Sequence, residues 1–258
     1  TGIKLAPYQE ITLRGLMNRN YSLCVWGRGC GKTFIASVFC MLQAMLEPDS
    51  RIIIAGPTFR TSRFIFNKIE EILSGRKAVL ARQAFETKPS KRNDIHEFKL
   101  SNGSAIAAIP LSGEKIRGFR ANILVIDEYL LMSREIIDTV LKPFLTAPQD
   151  ISERQEILEM EDSLIDQGVM KESERRIFED KTKLIGLSSA SYTFENLFVT
   201  YADFIKKIYN PKYYENEEGD SGASYEEGEI PPKYFVSQLA WDAIPKHMIN
   251  KSVIKEAE

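Results

Sequence analysis

Apolar and polar positions along this chain alternate between two periods, and the change of period marks its elements. Short runs rich in β-branched residues predict strands at Ser22 to Trp26, Arg51 to Gly56, Asn122 to Ile126 and Lys183 to Leu187, with a further one at Tyr234 to Ala240. Between the first two, Phe34 to Leu46 carries the longer apolar pattern of a helix. In HEFKLSNGSAIAAIP the apolar residues alternate on either side of Asn102-Gly103, a dipeptide suited to a type I′ hairpin turn. A charged piece from Asp150 to Lys181 has apolar residues at Ile151, Ile157, Leu158, Leu164 and Ile165, which predicts an inserted helical pair on the surface. Strands alternating with helices predict an α/β fold with a doubly wound, mostly parallel sheet.

Composition narrows the class. With 258 residues, 43% of them hydrophobic, the chain can bury a full core. No apolar stretch approaches a membrane span, no signal peptide is visible, and Cys24, Cys30 and Cys40 lack metal-type spacing and suit a reducing compartment. The net charge of -2 hides an uneven distribution. Basic residues dominate from Arg60 to Arg92, either as a track for a phosphate backbone or as a solvated helical face. Every charged residue from 215 to 229 is acidic, and the segment predicts a surface loop.

The chemistry sits in two segments. Leu23 to Thr33, LCVWGRGCGKT, is an apolar strand running into a glycine-rich turn that closes on Gly31-Lys32-Thr33. Gly27, Gly29 and Gly31 let the backbone turn tightly, with Arg28 and Cys30 between them, so that N–H groups and the following helix start receive phosphate. Lys32 would reach the β- and γ-phosphates and Thr33 would hold Mg²⁺. The common pattern has glycine where this chain has Trp26, so the loop is a variant form. Cys30, at a helix start, is expected to have a lowered thiol pKa and to outreact Cys24 and Cys40. In NILVIDE, residues 122–128, a fully apolar strand ends in two carboxylates. Asp127 would hold the metal and Glu128 would activate water.

Taken together, these segments resemble the ATPase domain of the large terminase subunit, the DNA-packaging motor of tailed phages. Pro7-Tyr8-Gln9 is similar to its adenine-side motif, Arg28 to the arginine of its variant phosphate loops, and AGPTFRTS to its second nucleotide-proximal motif. GEKIRGFRANILVIDE matches its run into the acidic strand, and IGLSSAS, with Ser188 and Ser189, its coupling motif. The resemblance implies a RecA-like (ASCE) P-loop fold with a core over 1–200 and a small lid or linker portion over 201–258, while the helical insertion over 150–181 departs from it by its length. It implies ATP and Mg²⁺ as cofactors, with Arg117 or Arg120 as a finger for a neighbouring subunit's site and Arg28 as the alternative in cis. The implied partners are double-stranded DNA, the procapsid portal protein and the small terminase subunit. The assembled protein would be a homo-oligomeric ring in the host cytoplasm, and the isolated domain a monomer. No nuclease array is evident, so the chain is expected to be the motor domain alone. Two alternatives stay open: another nucleic-acid-stimulated ATPase of the helicase type, and a nucleotide-binding module without turnover.

Overall fold

The computed structural model describes residues 2–86, 88–110, 120–146, 151–176, 181–189, 196–209 and 233–245. Its centre is β1 (Tyr21–Trp26), β2 (Arg51–Ala55), β6 (Ile123–Ile126) and β7 (Lys183–Ser188), all parallel to their neighbours. With β3 (Ser90–Lys91), β4 (His96–Lys99), β5 (Ala105–Ala108) and β8 (Tyr234–Leu239) they form one sheet of order β3-β4-β5-β2-β6-β7-β1-β8. Only the β3-β4 and β4-β5 pairs are antiparallel, so the predicted doubly wound, mostly parallel sheet is present. β8, from the 201–258 portion, lies in this sheet beside β1.

Alternation along each strand sends side chains to two cores. Cys24 and Trp26 of β1, Ile54 of β2, Val125 of β6 and Ile185 of β7 pack towards α2 (Lys32–Leu46) and α3 (Phe59–Ser74), joined by Phe39 and Phe66. Leu23, Ile53, Leu124 and Ile126 face the other way, where Tyr129, Leu141 and Phe204 close a second layer. A strand buried on both faces favours apolar residues throughout, which accounts for the ILVI of β6. α3 begins where Thr58 caps it: its hydroxyl accepts the Thr61 N–H at 3.3 Å and its own N–H donates to Thr61 Oγ1 at 3.1 Å.

Two sequence expectations need correction. The hairpin turn is not type I′, because that turn needs positive φ at both central residues, and among the described non-glycine residues only Asp49 and Glu128 have it. Instead Gly103 N–H donates to the Leu100 carbonyl at 3.2 Å, Gly103 takes φ 83°, and Leu100 N–H donates to the Ser104 carbonyl at 2.9 Å. This is the three-residue loop in which a left-handed glycine forms a bulge. The second correction concerns the insertion, which holds one long helix, Ile151–Asp166, and then a short 3-10 turn at Glu172–Glu174 among the described residues. Gly168, at φ 70°, reverses the chain between them, with the Gly168 N–H on the Ile165 carbonyl. The acidic loop at 215–229 lies outside the described residues.

Four basic residues of the stretch from Arg60 to Arg92 are engaged locally. Lys68 pairs with Glu71 and Lys91 with Glu70, Arg63 stacks over Phe59 at 5.0 Å, and Arg82 donates to the carbonyls of Leu73 and Gly75.

α1 (Pro7–Asn18) lies against β8 so closely that a side chain at Gly15 has no room. A Cβ there would stand 2.5 Å from Cε1 and Cζ of the Phe235 ring. Gly15→Ala should therefore cost about 1–3 kcal/mol through overpacking and lower Tm by several degrees in a thermal melt. An unchanged Tm would show that α1 does not seat on β8 in this way.

Candidate nucleotide site

Parallel register collects the site. β1 ends at Trp26, β6 at Ile126 and β7 at Ser188, with Val25 opposite Ser188 and Ile126 opposite Gly186. All three carboxyl ends therefore open on the same sheet edge, the edge at which α/β sheets hold ligands. The glycine-rich turn leaves β1 there, and Gly29 and Gly31 adopt φ of 77° and 87° as a tight turn demands. Gly31 then caps α2, whose first residues are Lys32 and the half-buried Thr33.

α1 covers the turn from one side. The Tyr8 hydroxyl donates to the Cys30 carbonyl at 3.3 Å, and the Tyr8 ring meets Trp26 edge-on at 5.4 Å. Buried Gln9 accepts the Ala6 N–H through Oε1 at 3.0 Å, and its Nε2 comes within 3.2 Å of where a Gly31 Cβ would stand. Tyr8 and Gln9 thus sit against the loop.

Lys32 folds back along the turn. Its ammonium donates to the carbonyls of Trp26 at 2.8 Å and Gly27 at 3.2 Å. Burial lowers its pKa, an effect opposed by Glu128, Cys30 and Asp127 and reinforced by Arg28. Arg28 is exposed beside it. Cys30 departs from expectation. It is buried, and burial raises its pKa rather than the helix start lowering it, with Lys32 only partly opposing. Cys24 and Cys40, deeper still, are pushed up to about 12.

The two carboxylates after β6 differ sharply. Asp127 is 4% exposed, accepts the Glu128 N–H on Oδ1 at 3.0 Å, and has its pKa raised to about 6, by burial first and by Glu128 second. Glu128 is more exposed and its backbone is left-handed, with φ 51° and ψ 50°. A non-glycine residue in that region carries about 1 kcal/mol or more of strain, and nothing in the sequence signals it. Ser188 is fully buried and its hydroxyl accepts the Leu130 N–H at 3.2 Å, tying β7 to the segment that leaves Glu128. Ser189 follows at the half-buried strand end.

The arginines lie elsewhere. Arg117 is outside the described residues. Arg120 is exposed and precedes β6, and the neighbouring Asn122 N–H binds the Arg51 carbonyl at the amino end of β2. About 13 Å of strand therefore separates that end from Asp127. Arg120 instead lines a cavity of about 490 Å³ with Arg51, Glu86, Glu97 and Lys99. Its own chain's phosphate loop is at the opposite edge.

The Asp127 shift has a consequence for stability. A folded pKa of about 6, above the ordinary 3.8, means that the folded state binds this proton more tightly than the unfolded chain. The gain from protonation is full below about pH 4 and is lost as pH rises through about 6. In metal-free protein, Asp127→Asn should raise stability at pH 7.5 by about 2–3 kcal/mol and by nothing measurable at pH 3.5. Denaturant unfolding at the two pH values decides it, and an equal effect at both would refute the buried carboxylate.

With this geometry in view, the chain compares directly with known proteins. The family described as terminase large subunit, T4likevirus-type, N-terminal, matches residues 23–151. No curated protein matches the chain. Among solved structures it is similar to the large terminase ATPase domain of Thermus phage P74-26, at 15% identity and TM-score 0.60 over 99% of this chain and 88% of that one. It is similar also to the large terminase of another phage, a thermophilic bacteriophage, in complex with ATP-γ-S, at 12% identity and TM-score 0.61, covering 98% of this chain and 49% of that chain. The bacteriophage HK97 large terminase is a third, at 15% identity and TM-score 0.53 over 80% of this chain and 37% of its own. At these identities the structures share a fold, and the chain spans about half of the terminase solved with ATP-γ-S. The family match covers half the chain and includes the phosphate loop, Asp127 and Glu128: the chain belongs to the T4-like terminase large subunits, within their N-terminal region.

Proposed function

We propose that this chain hydrolyses ATP and that hydrolysis drives double-stranded viral DNA into a procapsid. The observation that carries the reading is the meeting of Lys32, Asp127, Glu128 and Ser188 at one sheet edge in a chain of the terminase family. The thermophilic bacteriophage relative, solved with ATP-γ-S and with ADP, supports the choice of nucleotide.

Each residue has a task that its surroundings suit. The turn from Gly27 to Thr33 would receive the phosphates on its N–H groups, and Lys32 would exchange the Trp26 and Gly27 carbonyls for phosphate oxygens. Tyr8 and Gln9 would flank the adenine side. The donors available to a divalent cation are the Thr33 hydroxyl and the Asp127 carboxylate, hard oxygens of the kind Mg²⁺ prefers, and Asp127 is held in a site that penalises its charge until a cation arrives. Bound Mg²⁺ would neutralise charge on the phosphates. Glu128, aimed by its left-handed backbone, would accept the proton of the attacking water. Ser188, bonded to Leu130, would register the change after hydrolysis. Exposed Arg28 could serve the phosphates in cis, whereas Arg120 faces away from its own site and suits a finger offered to a neighbour, as Arg117 does by sequence. An arginine used in trans would come from a homo-oligomeric ring, and the partners that go with this reading are double-stranded DNA, the portal protein of the procapsid and the small terminase subunit. Among the described residues no helix is long and apolar enough to cross a membrane.

Glu128→Gln should keep Mg-ATP binding while single-turnover hydrolysis falls by about a hundredfold or more, the usual loss for a general base. Hydrolysis at the normal rate would sink the assignment. Mixing separates trans from cis. Arg120→Ala or Arg117→Ala, each combined with Glu128→Gln on procapsids, should regain part of the activity, because one site can draw its glutamate and its arginine from different chains. Failure of both mixtures, with assembly confirmed by light scattering, would leave Arg28 as the arginine.

A further inference from the structure

Two consecutive residues of the phosphate loop face in two directions. On one side the carbonyls of Trp26 and Gly27 hold the Lys32 ammonium, at 2.8 and 3.2 Å. On the other side the N–H groups of the same two residues are committed to β8. The Trp26 indole Nε1–H donates to Ser237 Oγ at 2.9 Å, and the Gly27 backbone N–H donates to the Leu239 carbonyl at 2.9 Å. Ser237 Oγ also lies 3.0 Å from Oγ1 of buried Thr12, so α1 joins the same junction.

The junction depends on a residue that the common loop pattern lacks. Glycine at position 26 would offer a carbonyl but no indole, and therefore no bond to β8. Trp26 is fully buried, packed by Tyr8 and fixed at its indole N–H, and the peptide unit that carries its carbonyl also carries the Gly27 N–H held by Leu239, so both contacts with β8 restrain the plane of that unit. The direction of its carbonyl follows from that plane, and the carbonyl is the closer of the two acceptors of Lys32.

We infer that Ser237 is a positioning residue for Lys32: through Trp26, β8 sets where the phosphate lysine rests and how the loop presents it to a nucleoside triphosphate. The inference rests on the reading of this loop as a nucleotide site. It also gives the strand a reason to lie beside β1, because any shift of β8 relative to β1 would be felt first at the two carbonyls that hold the lysine.

A double-mutant cycle tests it. Binding of a non-hydrolysable ATP analogue with Mg²⁺ is measured by calorimetry for the full chain, Ser237→Ala, Lys32→Ala and the double variant. Loss of one hydrogen bond of ordinary net strength should make Ser237→Ala bind roughly three- to tenfold more weakly. Ser237→Thr, which keeps the hydroxyl, should restore affinity. The Ser237→Ala effect should vanish when Lys32 is alanine, whereas an equal loss in both backgrounds would show a merely structural role and overturn the inference. Where Lys32→Ala binds too weakly to titrate, fluorescence decides. Trp241→Phe leaves Trp26 as the single tryptophan of the chain. The analogue should then shift Trp26 emission with Ser237 present and not with Ser237→Ala, and identical shifts would overturn the inference. Absence of any binding by the unmodified chain would instead overturn the reading of the loop itself.

Discussion

The constraint on which the rest depends is the parallel register of β1, β6 and β7. Three apolar strands buried on both faces can satisfy their backbone groups only by pairing along their length, and parallel pairing makes their carboxyl ends finish together. Everything chemical hangs from those ends: the glycine turn from β1, Asp127 and Glu128 from β6, Ser188 from β7. The carboxylates and the lysine come from positions far apart in sequence, yet no side-chain attraction is needed to bring them near. Backbone hydrogen bonds and the burial of Ile, Leu and Val do it first, and the electrostatics is then obliged to live with the result.

That order explains what was legible in the chain. The strands were readable because burial on two faces favours runs of apolar residues, so Ile123–Ile126 and Arg51–Ala55 announce themselves within a residue or so. The phosphate loop was readable because its glycines are demanded by backbone angles, as Gly29 and Gly31 show. The turn at Asn102-Gly103 was located but mistyped, since Asn-Gly fits two hairpin loops and the choice falls to Ser104, which the Leu100 N–H selects as its partner. Cys30 was misjudged for a different reason. Proximity to a helix start is local and visible, but burial beneath α1 is tertiary, and that burial raises the Cys30 pKa. Thr12 and Ser237 carried no signal at all, being ordinary hydroxyls separated by most of the chain and joined only by the sheet.

The site is also a place where the fold tolerates unfavourable terms. Asp127 is held where its charge is penalised, Lys32 is partly stripped of water, and Glu128 occupies a backbone region that its side chain opposes. Each would relax if the surroundings allowed it. They do not relax because each sits on a rigid support: Asp127 at the end of a strand buried on both sides, Lys32 at the first turn of a helix packed into the core, and Glu128 between Asp127 and a segment anchored by Ser188. Groups of this kind are best satisfied by something external. A cation would relieve Asp127 and phosphate oxygens would relieve Lys32, at the same edge.

The polarity of the sheet then divides the molecule by task. The carboxyl edge gathers the groups that a nucleotide would satisfy, and the amino edge carries Arg51, Lys99 and Arg120 beside Glu86 and Glu97 around a cavity. Among the described residues none of these five has an ion pair within the chain. Charges at one edge cannot act on chemistry at the other within a single copy, because strands of this length hold them about 13 Å or more apart. The same register that assembles the site inside one chain therefore leaves Arg28 beside it and Arg120 remote from it.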